Sequence, residues 1–332
     1  MFLYDNKLRL DLLEFGIEIP IKYEKVEKTI EYIKKHPLVG EKFNRLFKDE
    51  ITSIITKDDL LRVHSREYVE RLYSANVDKE VIKSYELIDN NGRYNRFNPK
   101  KATRPLVEMF DRELLISAGT YECCQKSLDK GFSFFFGGGS HHAKSDYGEG
   151  FCIINDLVVA VKRLQAEKKI STVWIIDVDA HKGDGTAALT AGDDSIRTLS
   201  IHMKNGWPLD ANEFINGKLN PSFVPSDIDI GISEGEEKLY NIKLEKGLYR
   251  LASFGIPDLA LVVLGADPYE EDELPSSSLI NLSFEKMEER DLLIYQFLKD
   301  LKIPQAYVMA GGYGVECWKV YSRFLVHVLM DL

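Results

Sequence analysis

Cysteine is scarce in this chain, four in 332 residues, at positions 123, 124, 152 and 317. Adjacent Cys123 and Cys124 do not have the spacing of a zinc ribbon, and a chain of this size needs no disulfide framework. Reduced, buried thiols are expected. Long apolar runs are missing as well: nothing approaches the roughly 18 consecutive apolar residues of a membrane helix. The opening MFLYDNKLRLDLLEFG mixes charges with apolar residues and lacks the apolar centre of a secretion signal. A cytoplasmic protein with no membrane partner is expected. Basic charge is short too, 43 Lys and Arg against 53 Asp and Glu for a net charge of −10. Surfaces that grip phosphate backbones need the opposite balance, so direct nucleic-acid binding is not expected.

Repeats, low-complexity tracts and long Pro/Gly/Ser linkers are also absent, and nothing divides the chain. With 44% apolar residues it can bury a large core, and residues 1–332 read as a single domain. The first 130 residues read as mostly helical. Glu24–Lys35 and Asp58–Tyr73 carry apolar residues at helical spacing, and the polar stretch Asn90–Lys101 reads as a surface loop. The pattern then changes to short apolar runs at Phe132–Phe136, Thr172–Ile176, Ile196–Ile201, Leu259–Leu264 and Ala306–Met309. Such runs, separated by amphipathic stretches like Asp156–Glu167 and Phe284–Lys299, are the pattern of a parallel sheet buried on both faces within an α/β fold.

The residues after these runs carry the chemistry. The first run leads to Gly-Gly-Gly-Ser-His-His and the second to Asp-Val-Asp-Ala-His. The third reaches Ser200 and His202, the fourth Gly-Ala-Asp, and the fifth Gly-Gly-Tyr. Ligands of open α/β sheets bind at the carboxyl ends of the strands, so five such ends point to one shared site. In extended backbone, residues two apart share a face, which lets Asp177, Asp179 and His181 look into one cavity. Carboxylates with one imidazole suit Zn²⁺, or Fe²⁺ or Mn²⁺, and Asp267 is the natural third ligand. His141 and His142 must sit on bent backbone if both face that ion, and Gly137 to Gly139 permit the bend.

Together, GGGSHHAKSDYGEGFCIIND, IIDVDAHKGDGTA, LGADP and AGGYG, with LLRVHSREYVERL upstream, closely resemble the arginase/deacetylase superfamily. Within it the chain is similar to histone deacetylases and their bacterial relatives. The resemblance covers roughly residues 55 to 325. It implies a three-layer α/β/α fold with a central, mainly parallel eight-stranded sheet, and removal of acetyl or similar acyl groups from amines. It also implies zinc ligands Asp179, His181 and Asp267. His142 becomes the general base and acid, oriented by Asp184, and His141, paired with Asp177, acts electrostatically. Tyr313 becomes the hydrogen-bond donor to the developing oxyanion. Phe151 and Trp207 become walls of an acyl-lysine tunnel, with Leu274, Gly150 and Gly311 also against the substrate. A structural potassium is implied at Asp177, Ser200, Ile201 and the main-chain oxygens of Asp179 and His181.

Departures from the family pattern carry their own expectations. Ser140 replaces a bulkier residue, which widens the cavity for the departing acid. Asp272-Glu273-Leu274-Pro275 replaces a glycine-containing turn. The N-terminal third matches poorly, leaving Asn95 or Asn98 as candidates for gripping the substrate backbone. Arginase would need carboxylates where Gly183 and Tyr269 stand, which disfavours it. The string Gly231-Ile232-Ser233-Glu234-Gly235 matches a serine-hydrolase elbow, but the charged DIDI before it reads as a surface connection. A catalytically silent binding protein on the same fold is the reading from another class, and the intact Asp179, His181, Asp267, His142 and Tyr313 set argues against it. The acids Glu270, Glu271, Asp272 and Glu273, with Glu234, Glu236 and Glu237, suggest either a solvated run or an acidic mouth. Such a mouth would attract acetyl-lysine peptides or acetylpolyamines.

Overall fold

The computed structural model describes residues 1–19, 24–89, 91–209, 214–215, 218–220 and 223–332. Among these, eight strands form one parallel sheet in the order β2-β1-β3-β10-β9-β4-β5-β8. The strands are β1 Phe2–Leu3, β2 Phe47–Lys48, β3 Phe132–Phe135, β4 Val173–Asp177, β5 Ile196–Met203, β8 Ile228–Ile232, β9 Leu259–Leu264 and β10 Gln305–Met309. A small antiparallel pair, β6 Phe214–Ile215 and β7 Lys218–Leu219, lies outside the sheet. The five strands read from apolar runs are all present. Four of them, β3, β4, β9 and β10, are buried along their whole length, as strands covered on both faces must be.

Helices α1 Glu24–Lys35, α2 Gly40–Leu46, α3 Lys57–Leu61, α4 Arg66–Leu72, α5 Val77–Ser84 and α6 Val107–Lys130 precede β3. Then come α7 Asp156–Ala166, α8 Asp184–Thr190, α9 Tyr240–Ala252, α10 Phe284–Asp300 and α11 Cys317–Asp331. Strand order explains how they divide into two layers. From β3 to β4 and on to β5 and β8 the chain moves across the sheet one way, and from β8 to β9 and β10 it moves back. Right-handed crossovers in opposite directions put their helices on opposite faces. α6 and α7 accordingly pack on each other, while α1, α11, α10 and α9 form a continuous second layer. The three-layer α/β/α architecture is that expected.

The jump from β3 to β4 leaves two places that β10 and β9 fill later. This is a topological switch point, and it opens a crevice at the carboxyl ends of those strands.

Three expectations need correction. Asp58–Tyr73 is two helices, because Ser65 caps a new one by accepting from Tyr68 N at 3.2 Å. The break turns buried His64 inward, where its Nδ1 meets Lys144 O at 2.8 Å. The DIDI segment is no surface connection: Ile228–Ile232 is the edge strand β8, paired with β5. Its charges are neutralised by Lys182 on Asp229, and neighbouring Asp227 accepts from Arg197 at 2.8 Å. The mostly helical N-terminal third also contributes the two-residue strands β1 and β2. Residues 95–101 lie outside strands and long helices, while Asn90 falls outside the described residues. The four cysteines are free and buried. No described helix is long and apolar enough to cross a membrane.

Candidate active site and metal centre

Where β4 ends, Asp177, Asp179 and His181 emerge on one ribbon. Asp177 Oδ1 accepts from Asp179 N at 3.1 Å, and Asp179 Oδ1 from His181 N at 3.0 Å. The turn thus uses Oδ1 of both aspartates, and Asp179 Oδ2 accepts from Gly311 N at 3.0 Å. After β9, Asp267 Oδ1 accepts from Ala180 N at 3.0 Å, tying the two strand ends together. His181 Nδ1 then lies 3.1 Å from both Asp179 Oδ1 and Asp267 Oδ2, while its Nε2 faces Ser276 Oγ at 3.3 Å.

Donor atoms of Asp179, His181 and Asp267 lie within 4.8 Å of one another, and all three residues are buried. Two buried carboxylates this close need a proton or a cation to share. Burial and Asp179 push the Asp267 carboxyl up to about 7. Burial would lower His181, yet the two carboxylates hold it up at about 10. The surrounding backbone is shaped for the cluster: a Cβ on Gly311 would stand 2.3 Å from Asp179 Oδ2 and 2.7 Å from Asp267 Cγ. The donor set and its glycine cradle fit a divalent ion with a position left open.

The paired histidines lie on bent backbone, as required. Gly138 and Gly139 have φ of +87° and +88°, and His141 N bonds back to Gly139 O at 2.8 Å. His141 Nδ1 meets Asp177 Oδ2 at 2.7 Å, and His142 Nδ1 meets Asp184 Oδ1 at 2.8 Å. The two dyads differ electrically. Burial opposes charge on His141, but Asp177 and Asp179 hold it up at about 9. Burial together with neighbouring His141 drives His142 down to about 3, despite Asp184. His142 is therefore a neutral imidazole at ordinary pH. Asp184 is not its exclusive partner, because Lys144 Nζ lies 2.5 Å from the other oxygen.

A cavity of about 400 Å³ joins these groups. Its lining includes His141, His142, Asp179, His181, Gly150, Phe151, Trp207, Leu274, Gly311 and Tyr313. Trp207 stands edge-on to His142 with ring centroids 4.4 Å apart. A Cβ on Gly150, whose φ is +58°, would be 2.3 Å from the Trp207 ring and 2.7 Å from His142 Cδ2. Phe151 also has positive φ, +66°. Burial and the ligand carboxylates raise Tyr313 well above the usual tyrosine value, which keeps it a phenol able to donate. Asp177 and Ser200 are register partners on β4 and β5, and both are buried. Ile201 follows on β5, and Ser200 Oγ lies 2.9 Å from His202 Nδ1.

Other expected positions do not join the site. Asn95 and Asn98 do not line this cavity: Asn95 Nδ2 donates to Glu86 O at 3.3 Å, and the Asn98 side chain accepts from Lys100 N at 3.2 Å. Glu86 and Arg96 line it instead. Neither the acids of 270–273 nor those of 234–237 line it; Asp272 and Glu273 accept instead from backbone N of Tyr313 and Val315. Ser233 also lies outside the cavity, and Glu236 accepts from its backbone N at 3.0 Å.

Sequence reading missed Lys25, Lys144 and the Arg112–Glu113 pair, which lines the cavity with Ser140. Lys144 follows the histidine pair by two residues within GGGSHHAKSDYGEGFCIIND, so its place beside the site is local in the sequence. Lys25 donates to Ala310 O at 2.6 Å from a helix 285 residues away in sequence, and no local pattern signals that.

Residues 19–329 match the histone deacetylase domain family. An uncharacterised protein of Picosynechococcus is 31% identical over 65% of this chain and 68% of its own length. The acetoin utilization protein AcuC of Staphylococcus aureus is 27% identical, over 84% of this chain and 69% of that protein. Among solved structures, a histone-deacetylase homologue complexed with SAHA matches with TM-score 0.73 and 20% identity, over 99% of this chain and 84% of that one. A homologue from Aquifex aeolicus matches with TM-score 0.70 and 20% identity, over 99% of this chain and 83% of that one.

Proposed function

The chain belongs to the histone deacetylase family, and from that premise we propose that it is a zinc-dependent amidohydrolase that removes acetyl or similar acyl groups from amines such as acetyl-lysine. One observation supports this most: Asp179 and His181 of the buried cluster with Asp267, and His142 of the His142–Asp184 dyad, line the same cavity. A divalent ion held by the three ligands would supply water activation and carbonyl polarisation.

The chain's own residues supply the rest. Neutral His142 accepts a proton from the attacking water at Nε2, because Nδ1 is committed to Asp184. It then returns that proton to the departing amine. His141, beside Asp177, contributes charge to the same pocket. Tyr313 donates its phenol proton toward the developing oxyanion. Phe151, Trp207 and Leu274 enclose an apolar amine stem and exclude water, and Gly150 and Gly311 let the walls close in. We place a structural potassium at Asp177 and Ser200 with the main-chain oxygens of Asp179, His181 and Ile201. The register pairing of two buried oxygen-bearing side chains supports it.

The test is hydrolysis of acetyl-lysine peptides and acetylpolyamines by purified protein loaded separately with Zn²⁺, Fe²⁺ and Mn²⁺. Metal-dependent release of acetate from acetyl-lysine is expected. Preference for acetylpolyamine would move the substrate class, and no turnover of either with any ion would overturn the reading.

A further inference from the structure

Tyr313 sits on a segment with no regular structure of its own. Residues 310 to 316 follow β10 and precede α11, and Gly312 within them has φ +124°. A phenol that must meet a reacting atom within a few tenths of an ångström cannot rely on such backbone alone. Its position has to be imposed from outside.

Asp272 imposes it. One carboxylate oxygen, Oδ2, accepts from Tyr313 N at 2.6 Å, Gly314 N at 3.2 Å and Cys317 Sγ at 3.3 Å. The other, Oδ1, accepts from Leu274 N and Ser277 Oγ, both at 2.9 Å. A single side chain thus joins the loop carrying Tyr313 to the loop after Asp267, which carries Leu274 and Ser276 into the cavity. The two loops also touch directly: a Cβ on Gly314 would stand 2.2 Å from Glu271 O. Neighbouring Glu273 adds a bond from Val315 N at 3.0 Å. Four N–H and O–H donors and a weaker thiol thus converge on the two oxygens of one carboxylate.

Resting on the role proposed for Tyr313, we infer that Asp272 is a positioning residue that sets the reach of the phenol by clamping its backbone to the loop following Asp267. Asp272 does not line the cavity; its bearing on turnover runs through Tyr313, while its bond from Leu274 N anchors the other side of the clamp. Asp272→Asn tests this, since its amide can accept on one oxygen but presents N–H to the remaining donors. The mutant should lose about 10-fold or more in kcat, with KM within about twofold of wild type and bound metal unchanged. Tyr313→Phe alone should lose about 10²-fold, and the double variant should fall no lower than Tyr313→Phe.

Independent losses that multiply in the double variant, or Asp272→Asn at wild-type kcat beside a strongly impaired Tyr313→Phe, would overturn the inference. Tyr313→Phe at full activity would instead sink the role of Tyr313. Should Asp272→Asn not accumulate as folded protein, Asp272→Glu supplies the same cycle, because it keeps the charge but displaces the donors by one methylene. A crystal structure of either variant reads the outcome without turnover: a Tyr313 ring moved from the cavity supports the clamp, and an unmoved one rejects it.

Discussion

Lys144 Nζ lies 2.5 Å from Asp184 Oδ2, on the same carboxylate whose Oδ1 holds His142. Burial would raise Asp184, but His142 and Lys144 together hold it well below the usual carboxylate range. The lysine draws on the charge that would otherwise make His142 more basic. Asp184→Asn should therefore cost about 10- to 100-fold in kcat, the range for groups that orient a working imidazole. Lys144→Met should act more gently and shift the acid limb of the kcat profile upward, because the unshared carboxylate pulls harder on His142. Rate profiles on an acetyl-lysine peptide, carried from pH 9 down to about pH 3 where His142 takes up its proton, check both. An acid limb that moves down in Lys144→Met contradicts the sharing.

The clustered ligands make a second expectation. Asp179 and Asp267 are 3% and 1% exposed, so an ion between them relieves a repulsion that water cannot. Chelation should abolish acetate release, and re-addition of metal should restore it. Stability should follow occupancy: ion at about a thousand times its dissociation constant adds about 4 kcal/mol. Thermal unfolding should move up several degrees on adding Zn²⁺ to the stripped protein. His181→Ala, with one donor removed, should show little of that shift. An equal shift in His181→Ala would place the stabilising ion elsewhere.

Glu113 yields a prediction about pH. Buried beside Ser140, its carboxyl is pushed by burial from 4.5 up to about 7, though Arg112 works against the rise. An acid with a raised pKa binds its proton more tightly when folded. The fold is thus unaffected below about pH 4.5 and loses stability as pH climbs to about 7, reaching a full cost of roughly 3 kcal/mol above that. Glu113→Gln should be more stable than wild type at pH 8 and about equal to it at pH 4. Urea unfolding at the two pH values measures this. A stability gain that is larger at pH 4 rejects it.

These predictions differ in how much of them could be read from sequence. Asp179 and His181 were legible because a strand end repeats its facing every two residues, so a short string fixes its own geometry. The strands that carry the site were legible for a related reason: β9 and β4 are buried along their whole length and contain only apolar residues until the last. β8 was not, because an edge strand keeps its charges and needs Lys182 to neutralise Asp229. β1 and β2, two residues each, are too short to show any period. Lys25, Glu113 and the inward turn of Asp272 depend on contacts between distant segments, which local spacing does not encode. The acidic run around Asp272 looked like a solvated face, yet two of its four carboxylates are spent on backbone N–H groups across the loop.

Gly150 carries the last prediction. Its φ of +58° is costly for residues with a side chain, by about 1 kcal/mol. An added Cβ would also meet the Trp207 ring at 2.3 Å and His142 Cδ2 at 2.7 Å. His142 is buried and cannot yield toward solvent, whereas the Trp207 ring, 37% exposed at the cavity wall, has room to move. Gly150→Ala should therefore displace either the indole or the imidazole and cut kcat/KM by about 10-fold or more, while the melting temperature falls only a few degrees. Pairing it with Trp207→Ala separates the two neighbours. If the indole is what gives way, the double variant should be no worse than Trp207→Ala alone; if His142 is displaced, the losses should add. Full activity in Gly150→Ala would mean that the wall is not as close to His142 as the 4.4 Å ring contact requires.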